Sequence, residues 1–212
     1  WSRVDLHHFF FSISFESKPW IVTTSSWLPR WGKTARDGLE RLAAANCRRI
    51  LFLSRHALEM QAALLSHNED LRDPILAKCE VAHPPQLPLV ASAEEKPVAP
   101  GHTRLLFVGR QFFQKGGGTL LRVCDRLARN GTSFHLHVVS DLDHRDFATD
   151  ADEDSVRAAR AAMDRLGDRV TFHGSLPNPA VLDLMRRSHV LVLPTIADTY
   201  GYVVLEAQAA GC

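Results

Sequence analysis

The sequence has no long hydrophobic run, and this excludes one class of protein. A helix that crosses a bilayer needs roughly 20 consecutive apolar residues. The nearest candidate, residues 9–15, is short and contains serines. The sequence also lacks an obvious basic amphipathic helix that would lie on a membrane surface. We therefore expect no membrane span and no firm membrane attachment.

The sequence has no excess of charge of either sign. Lysine and arginine number 25 against 24 aspartate and glutamate residues, so the net charge is +1. A neutral balance provides no broad field that would hold a nucleic acid. We expect no nucleic-acid partner, and any anionic ligand must be bound by local groups.

The four cysteines, Cys47, Cys79, Cys124 and Cys212, form no C-x-x-C pair. This argues against a disulfide framework and against a zinc site, and it favours a reducing, cytoplasmic location. The chain has no initiator methionine and no signal peptide, and it stops directly after a predicted helix. We expect both ends to be cut.

Two alternating patterns of strands and helices divide the 212 residues. The first predicts strands at 19–24, 48–53 and 78–83 and helices at 34–46 and 55–66. The second predicts strands at 104–108, 134–139, 169–173 and 189–193, and helices at 118–130, 155–166, 179–187 and 200–210. Such alternation indicates parallel sheets. We predict an α/β protein with two Rossmann-like, doubly wound domains, at 1–85 and 102–212, joined by a proline-rich linker at 86–101.

The first loop of the second pattern carries cations beside a glycine-rich turn. After Val108 the sequence reads Gly109-Arg110-Gln111-Phe112-Phe113-Gln114-Lys115-Gly116-Gly117-Gly118 and enters a helix. Such a loop binds anions, because free backbone N–H groups and the helix dipole place positive charge there. The pattern is neither a P-loop nor the dinucleotide G-x-G-x-x-G. A flexible turn with solvated cations is the alternative.

A second set of polar residues follows the last predicted strand. From Val203 to Ala210 every residue except Glu206 and Gln208 is apolar, which predicts a helix packed on most sides. A carboxylate there needs a partner, either a protein donor or a ligand hydroxyl. Asp198 and Thr199 are explained equally well as caps of this helix.

Here the sequence resembles the GT-B retaining glycosyltransferases of family 4, the glycosyl transferases group 1. The resemblance covers most of residues 83–212 and is weaker upstream, at 48–54. It is carried by Phe107-Val108-Gly109-Arg110 with Lys115-Gly116-Gly117, by Val170-Thr171-Phe172-His173-Gly174, and by the block from Val190 to Gly211. It implies the GT-B fold, with each domain incomplete in this chain.

The resemblance also implies roles for these residues. Arg110 and Lys115 would clamp the donor diphosphate in a loop that contains Gly109 and Gly116, and Glu206 would bind the nucleotide ribose. Backbone amides at Thr199, Tyr200 and Gly201 would add donors to the phosphates. Asp198 would contact the donor sugar. It replaces the family's usual first Glu and is one methylene shorter, so either the loop lies closer, or the donor differs, or this carboxylate matters less.

The implied activity is that of a retaining hexosyltransferase. A UDP, GDP or ADP sugar would be the donor and a carbohydrate or another hydroxyl compound the acceptor, with no further cofactor and no metal. His8, or its neighbour His7, is a candidate catalytic histidine at a possible strand end, although a structural role explains it equally well. The segment 23–30, with Trp27 and Arg30, either contacts the acceptor or forms an ordinary surface loop.

Two other functions remain open. A non-catalytic nucleotide-sugar-binding fragment fits the same motifs. A nicotinamide-dependent oxidoreductase would use Asp141 or Asp143 after the strand at 134–139, but its glycine turn is absent. The crowded carboxylates at 141–154 predict a solvated loop, with a metal site as the weaker alternative.

Overall fold

The computed structural model describes residues 4–30, 35–92, 95–96, 101–144 and 148–212. The chain divides into two compact units, Trp1–Pro85 and Gln86–Cys212. Each unit contains a four-stranded sheet in which all the neighbouring strands are parallel. The predicted α/β class is therefore confirmed.

The first unit has strands in sequential order, β1-β2-β3-β4. Its elements are β1 (His7–Phe10), β2 (Trp20–Thr24), α1 (Ala35–Ala43), β3 (Cys47–Phe52), α2 (Arg55–Leu64), α3 (Glu69–Leu76) and β4 (Cys79–Val81), with a 3-10 turn at Leu65–His67. Strands β2 and β3 and all three helices contribute side chains to one buried cluster, centred on the fully buried Trp20.

The sequence predicted three of these four strands but missed α3. The helix contains Pro74, which lacks the N–H needed for the helical ladder, so the pattern at 67–77 predicted no element. Ser54 caps α2, because Ser54 Oγ accepts from Ala57 N at 3.1 Å. Residues 31–34, at the start of the predicted helix 34–46, lie outside the described residues.

In the second unit the strands lie in the order β7-β6-β5-β8. Successive strands are therefore added first on one side of β5 and then on its other side. Its elements are β5 (Thr103–Val108), α4 (Gly117–Arg129), β6 (Phe134–Val139), α5 (Glu153–Leu166), β7 (Val170–Gly174), α6 (Asn178–Arg187), β8 (Val190–Leu191) and α7 (Tyr202–Ala209), with a 3-10 turn at Gly167–Arg169.

Helices cover both faces of this second sheet. Phe107 points into a cluster with α4 and α5, whereas the adjacent Leu106 points into a cluster with α6 and α7. From β5 the chain continues to β6 and β7 on one side of β5 and then crosses to β8 on its other side. A crevice forms at such a reversal, beyond the carboxyl ends of the strands, and ligands of open parallel sheets bind there.

Part of the predicted linker packs on the second unit. The N–H groups of Leu89 and Val90 both donate to Ala209 O, at 2.7 and 3.3 Å, and Arg186 Nε donates to Leu89 O at 3.4 Å. The side chain of Leu89 joins the α6–α7 cluster. Residues 93–94 and 97–100 of the predicted linker lie outside the described residues.

Among the helices that the structure describes, none is both long enough and apolar enough to span a bilayer. The longest of the first unit, α2, has 10 residues.

Lys78 anchors the C-terminal end of α1, and its removal should destabilise the first unit. Lys78 Nζ donates to the carbonyls of Leu42, Ala43 and Ala44 at 2.9, 2.6 and 2.7 Å. The last carbonyls of a helix lack intrahelical partners and carry partial negative charge. We expect Lys78→Met to lower the free energy of unfolding by about 1.5–3 kcal/mol, the range for hydrogen bonds to a charged group.

Urea unfolding followed by tryptophan fluorescence measures this loss, because all four tryptophans belong to the first unit and Trp20 is fully buried. The exposed Lys18 provides the control, because Lys18→Met removes a lysine without removing these bonds. Equal effects of the two substitutions would contradict the anchoring role.

Candidate donor-binding site

The loops that follow β5 and β8 meet at the carboxyl edge of the second sheet. β5 pairs with β8, with Leu105 opposite Val190 and Leu106 opposite Leu191. The loop after β5 contains Arg110 and Lys115, and the loop after β8 contains Asp198. The structure therefore brings the two predicted sets of polar residues to the point where the strand order reverses.

The first loop is anchored to the sheet at Gly109. Gly109 N donates to Val139 O at 3.0 Å, and Ser140 Oγ donates to Gly109 O at 2.6 Å. A Cβ at Gly109 would lie 2.8 Å from Lys115 Cγ. Glycine is required at this position because the Lys115 side chain folds back across it.

Gly116 is the N-cap of α4 and has a left-handed backbone, with φ +84°. A Cβ at this position would lie 2.0 Å from the carbonyl oxygen of Pro194. The glycine thus permits both the turn into the helix and the close approach of the loop after β8.

Gln114 joins the two loops. Its backbone carbonyl accepts from Ile196 N at 2.9 Å and from Thr195 Oγ1 at 3.3 Å, and its Nε2 donates to Ala197 O at 3.2 Å. The side chain is 4% exposed, and its Oε1 has no hydrogen-bond partner among the described residues. Residue type and motif order indicated no role for Gln114, and its position directly before Lys115 was the only signal.

Lys115 and Asp198 form an ion pair between the loops. Lys115 Nζ lies 2.7 Å from Asp198 Oδ2, and the two side chains are only 17% and 24% exposed. The same ammonium lies 3.5 Å from Ala197 O. A partly buried cation is thereby held beside the start of α4.

Arg110 lies at the beginning of the same loop, and it is exposed. Within the described ranges, the structure gives its guanidinium no carboxylate partner. It can therefore turn toward an anionic ligand without breaking an ion pair.

Asp198 and Thr199 do not cap α7, contrary to the alternative that explained them as caps. The N-cap is Gly201, which makes no side-chain hydrogen bond. Asp198 Oδ1 instead accepts from Tyr200 N at 3.2 Å, two residues ahead, in the local turn that aspartate favours. The N-terminal amides of α7 are thus left without a side-chain cap, as are those of α4 behind Gly116.

Glu206 has a protein partner, and its helix is less buried than predicted. Asn178 Nδ2, at the start of α6, lies 3.2 Å from Glu206 Oε1. Tyr202 and Val204 are 43% and 40% exposed, so the prediction that α7 is packed on most sides is wrong. The helix packs on the rest of the unit through Val203, Ala207 and the following Ala210.

The candidate histidines of the first unit begin a strand rather than end one. His7 and His8 are the first residues of β1, whose carboxyl end is Phe10. His8 Nε2 lies 2.8 Å from Thr23 Oγ1 on β2. This contact holds the His8 side chain against the sheet. The prediction that the histidines lie at a strand end, after residues 4–6, is wrong, because they begin β1. Trp27 and Arg30 lie beyond β2 and are both exposed, and the Arg30 guanidinium lies 5.4 Å from the Phe11 ring centroid.

The described part of the acidic segment makes local contacts. Asp141 Oδ1 accepts from Asp143 N at 3.2 Å, and Asp152 caps α5 by accepting from Ser155 N at 2.8 Å. Residues 145–147 lie outside the described residues. In the remainder, no group of three histidine, cysteine, aspartate or glutamate side chains is placed to hold a metal ion.

A family model described as glycosyl transferases group 1 matches residues 102–212, just over half of the chain. The chain belongs to this family. The resemblance carried by the Gly109-Arg110 loop and the 190–211 block is thereby confirmed, and the matched residues contain every element of the site described above.

Curated relatives agree with this assignment. The chain is 30% identical to the glycogen synthase of Mycobacterium tuberculosis (strain ATCC 25618 / H37Rv) over 111 residues, which is 52% of this chain and 25% of that protein. It is 34% identical to the D-inositol 3-phosphate glycosyltransferase of Arthrobacter sp. (strain FB24) over 114 residues, 54% of this chain and 26% of that protein. The matched region is about a quarter of each relative's length.

Solved structures share the fold over nearly the whole chain. A glycosyltransferase from Rickettsia africae ESF-5 aligns with a TM-score of 0.61 at 13% identity, covering 98% of this chain and 56% of that chain. The sucrose-phosphate synthase from Thermosynechococcus elongatus aligns with a TM-score of 0.57 at 19% identity, covering 98% and 54%. These alignments confirm the GT-B fold, and the chain spans just over half of each structure.

Replacing Gly116 should disturb the site through the contact with Pro194. Gly116→Ala adds a Cβ to a left-handed residue, which costs roughly 1–2 kcal/mol, and also drives it into the Pro194 carbonyl. Gly131 is a matched control, because its φ is +74° but a Cβ there would meet nothing within 4 Å. We expect Gly116→Ala to lower the free energy of unfolding by clearly more than Gly131→Ala. Equal losses in thermal unfolding would contradict the close contact.

Proposed function

We propose that this chain binds a nucleoside diphosphate sugar and acts in transferring the sugar, with retention, to a hydroxyl acceptor. The proposal rests on one observation. Lys115 lies near the N-termini of two helices that lack side-chain caps, at the point where the strand order of the sheet reverses. Uncapped N–H groups beside a cation form a site for a diphosphate. The names of the curated relatives, a glycogen synthase and an inositol phosphate glycosyltransferase, support sugar transfer.

The diphosphate would lie between Arg110 and Lys115, near the N-termini of α4 and α7. The first amides of these helices, Gly117 N and Tyr202 N, donate to Phe112 O and Tyr200 O, so the helix dipoles and the other first-turn amides would interact with the ligand. The anomeric C–O bond breaks and the diphosphate leaves with the bonding electron pair. The acceptor oxygen forms the new glycosidic bond, and its proton is released. Fixed cations and N–H groups stabilise the negative charge that grows on the leaving group, because they need no reorganisation during the reaction.

The two carboxylates would contact the remainder of the donor. Glu206 lies on α7, with one oxygen bonded to Asn178 Nδ2, so the second oxygen is available to a ribose hydroxyl. Asp198 would bind a hydroxyl of the transferred hexose. Before the donor binds, Asp198 holds Lys115. The diphosphate would take over the ammonium and release the carboxylate toward the sugar.

A second candidate is nucleotide-sugar binding without turnover by this chain. The chain spans only about a quarter of its curated relatives and about half of the solved structures. Closure around both donor and acceptor is a common requirement for transfer. Donor hydrolysis or transfer to simple sugars, assayed after binding has been measured, separates the two functions.

Calorimetric titration with UDP, GDP and ADP, and with their hexose conjugates, tests the donor site. We expect one base to bind, and Lys115→Met, Arg110→Met and Glu206→Ala each to weaken binding by about 1.5–3 kcal/mol, the scale of charged hydrogen bonds. Arg126→Met, at the exposed far end of α4, is the control for loss of one positive charge.

Two results would overturn the proposal. One is that a folded chain binds none of the three nucleotides. The other is that Lys115→Met and Arg110→Met bind as tightly as Arg126→Met, which would place any nucleotide elsewhere.

A further inference from the structure

One face of the second sheet carries a cluster of histidines that the donor site does not use. His135 and His137 lie two residues apart on β6, so both side chains point to the same face. In register, Arg104 on β5 lies opposite His135, and Thr171 on β7 lies opposite His137. These residues therefore share the face that α6 covers over β5.

The imidazoles contact one another and their neighbours directly. His137 Nδ1 lies 3.0 Å from His173 Nε2, and the ring centroids of His135 and His137 are 4.7 Å apart. His135 Nε2 lies 2.8 Å from Thr171 Oγ1. The other residues of β6 alternate with the histidines and are buried in the core on the opposite face of the sheet. The regular alternation of the strand therefore places the histidines together on one face.

A surface pocket of about 330 Å³ opens beside these rings. It is lined by His102, Arg104, His135, His137, Leu184 and Arg187. Most of its polar lining consists of N–H donors, and Leu184 of α6 contributes an apolar wall. The volume is at the lower end of the range for small-ligand sites.

The charged groups around this pocket are mostly cations. Burial is the largest cause that lowers the pKa values of His135, His137 and His189. Repulsion from Lys96, Arg104, His102 and the neighbouring histidines lowers them further. Burial and these like charges lower the pKa of His137 to about 4.

Of the two nearby acidic residues, one forms an ion pair and the other contacts the cluster through its backbone. Asp183 forms a 2.8 Å ion pair with Arg187 on α6. Asp168 reaches His135 through its backbone. The described residues supply no other carboxylate to the Arg104 guanidinium. Among the described residues, the Arg104 guanidinium on β5 thus has no carboxylate partner, and it shares the pocket with the imidazoles of β6.

We propose that this pocket binds the phosphate group of a hexose-sized phosphate monoester. The Arg104 guanidinium would hold two phosphate oxygens as a planar fork. Imidazole N–H groups of His102 and His137 would donate to the remaining oxygens, and the sugar would lie against Leu184. An orthophosphate ion alone would fill only part of the volume.

The pocket is separate from the donor site. Arg104 and His135 lie near the amino ends of β5 and β6, whereas the donor loops follow the carboxyl ends. Five steps of ~3.3 Å between the first and last residues of β5 separate its two ends by about 17 Å. A bound phosphate favours imidazolium, so binding would take up protons and tighten as the pH falls.

Imidazole NMR of the chain, titrated with a hexose 6-phosphate, with orthophosphate and with sodium chloride at equal ionic strength, tests the site. We expect saturable shifts of the His102, His135 and His137 signals with the hexose phosphate, a pKa of His137 raised above its value of about 4, and binding that tightens as the pH falls through that raised value. Arg104→Met should weaken binding at least tenfold, and His137→Gln should weaken it and reduce its pH dependence. The exposed Arg160 on α5 provides the charge control, Arg160→Met, and Lys115→Met should retain binding.

Three results would overturn the proposal. Shifts with the hexose phosphate no larger than those with sodium chloride would exclude a phosphate site. Binding of orthophosphate as tightly as the hexose phosphate would exclude a role for the sugar. Loss of binding in Lys115→Met, with Arg104→Met unaffected, would assign the ligand to the donor loops.

Discussion

The second unit depends on a close contact between two backbones, where the carbonyl of Pro194 lies against the glycine that begins α4. No side chain fits between them at Gly116. The contact brings the loop after β8 against the loop after β5, and Gln114 then binds that loop through its backbone and its side chain. The ion pair of Lys115 with Asp198 forms only because these loops already lie together.

The same contact explains how positive charge is kept available at one edge of the sheet. Helix α5 has its N-terminus closed by Asp152 and Ser155, whereas α4 and α7 begin at glycines that contribute no capping side chain. A ligand phosphate can occupy the place that a cap would take. Electrostatic stabilisation of this kind requires rigid placement, which the packed loops supply.

The sequence was a good guide to structure wherever local pattern decides it. Both ends of β6, Phe134–Val139, were predicted to the residue, because apolar residues mark the two ends of a clearly alternating strand. Helix α3 was not predicted, because it contains Pro74. Strand β8 is only Val190–Leu191, although the apolar run predicted a strand at 189–193. Arg110, Lys115, Asp198 and Glu206 could be named as candidates for the donor site from residue type and motif order, and their roles stay a prediction. The 2.7 Å ion pair, the joining role of Gln114 and the Asn178 partner of Glu206 could not, since they depend on how separate loops pack.

The central claim is that Asp198 holds Lys115 until a diphosphate replaces it. The most direct measurement is a double-mutant cycle on nucleoside diphosphate affinity, with wild type, Asp198→Asn, Lys115→Met and the double variant. If the claim is right, Asp198→Asn strengthens binding when Lys115 is present and most of that gain disappears in Lys115→Met, with a coupling of about 0.5–3 kcal/mol as for residues in contact. An equal effect of Asp198→Asn in both backgrounds would contradict it.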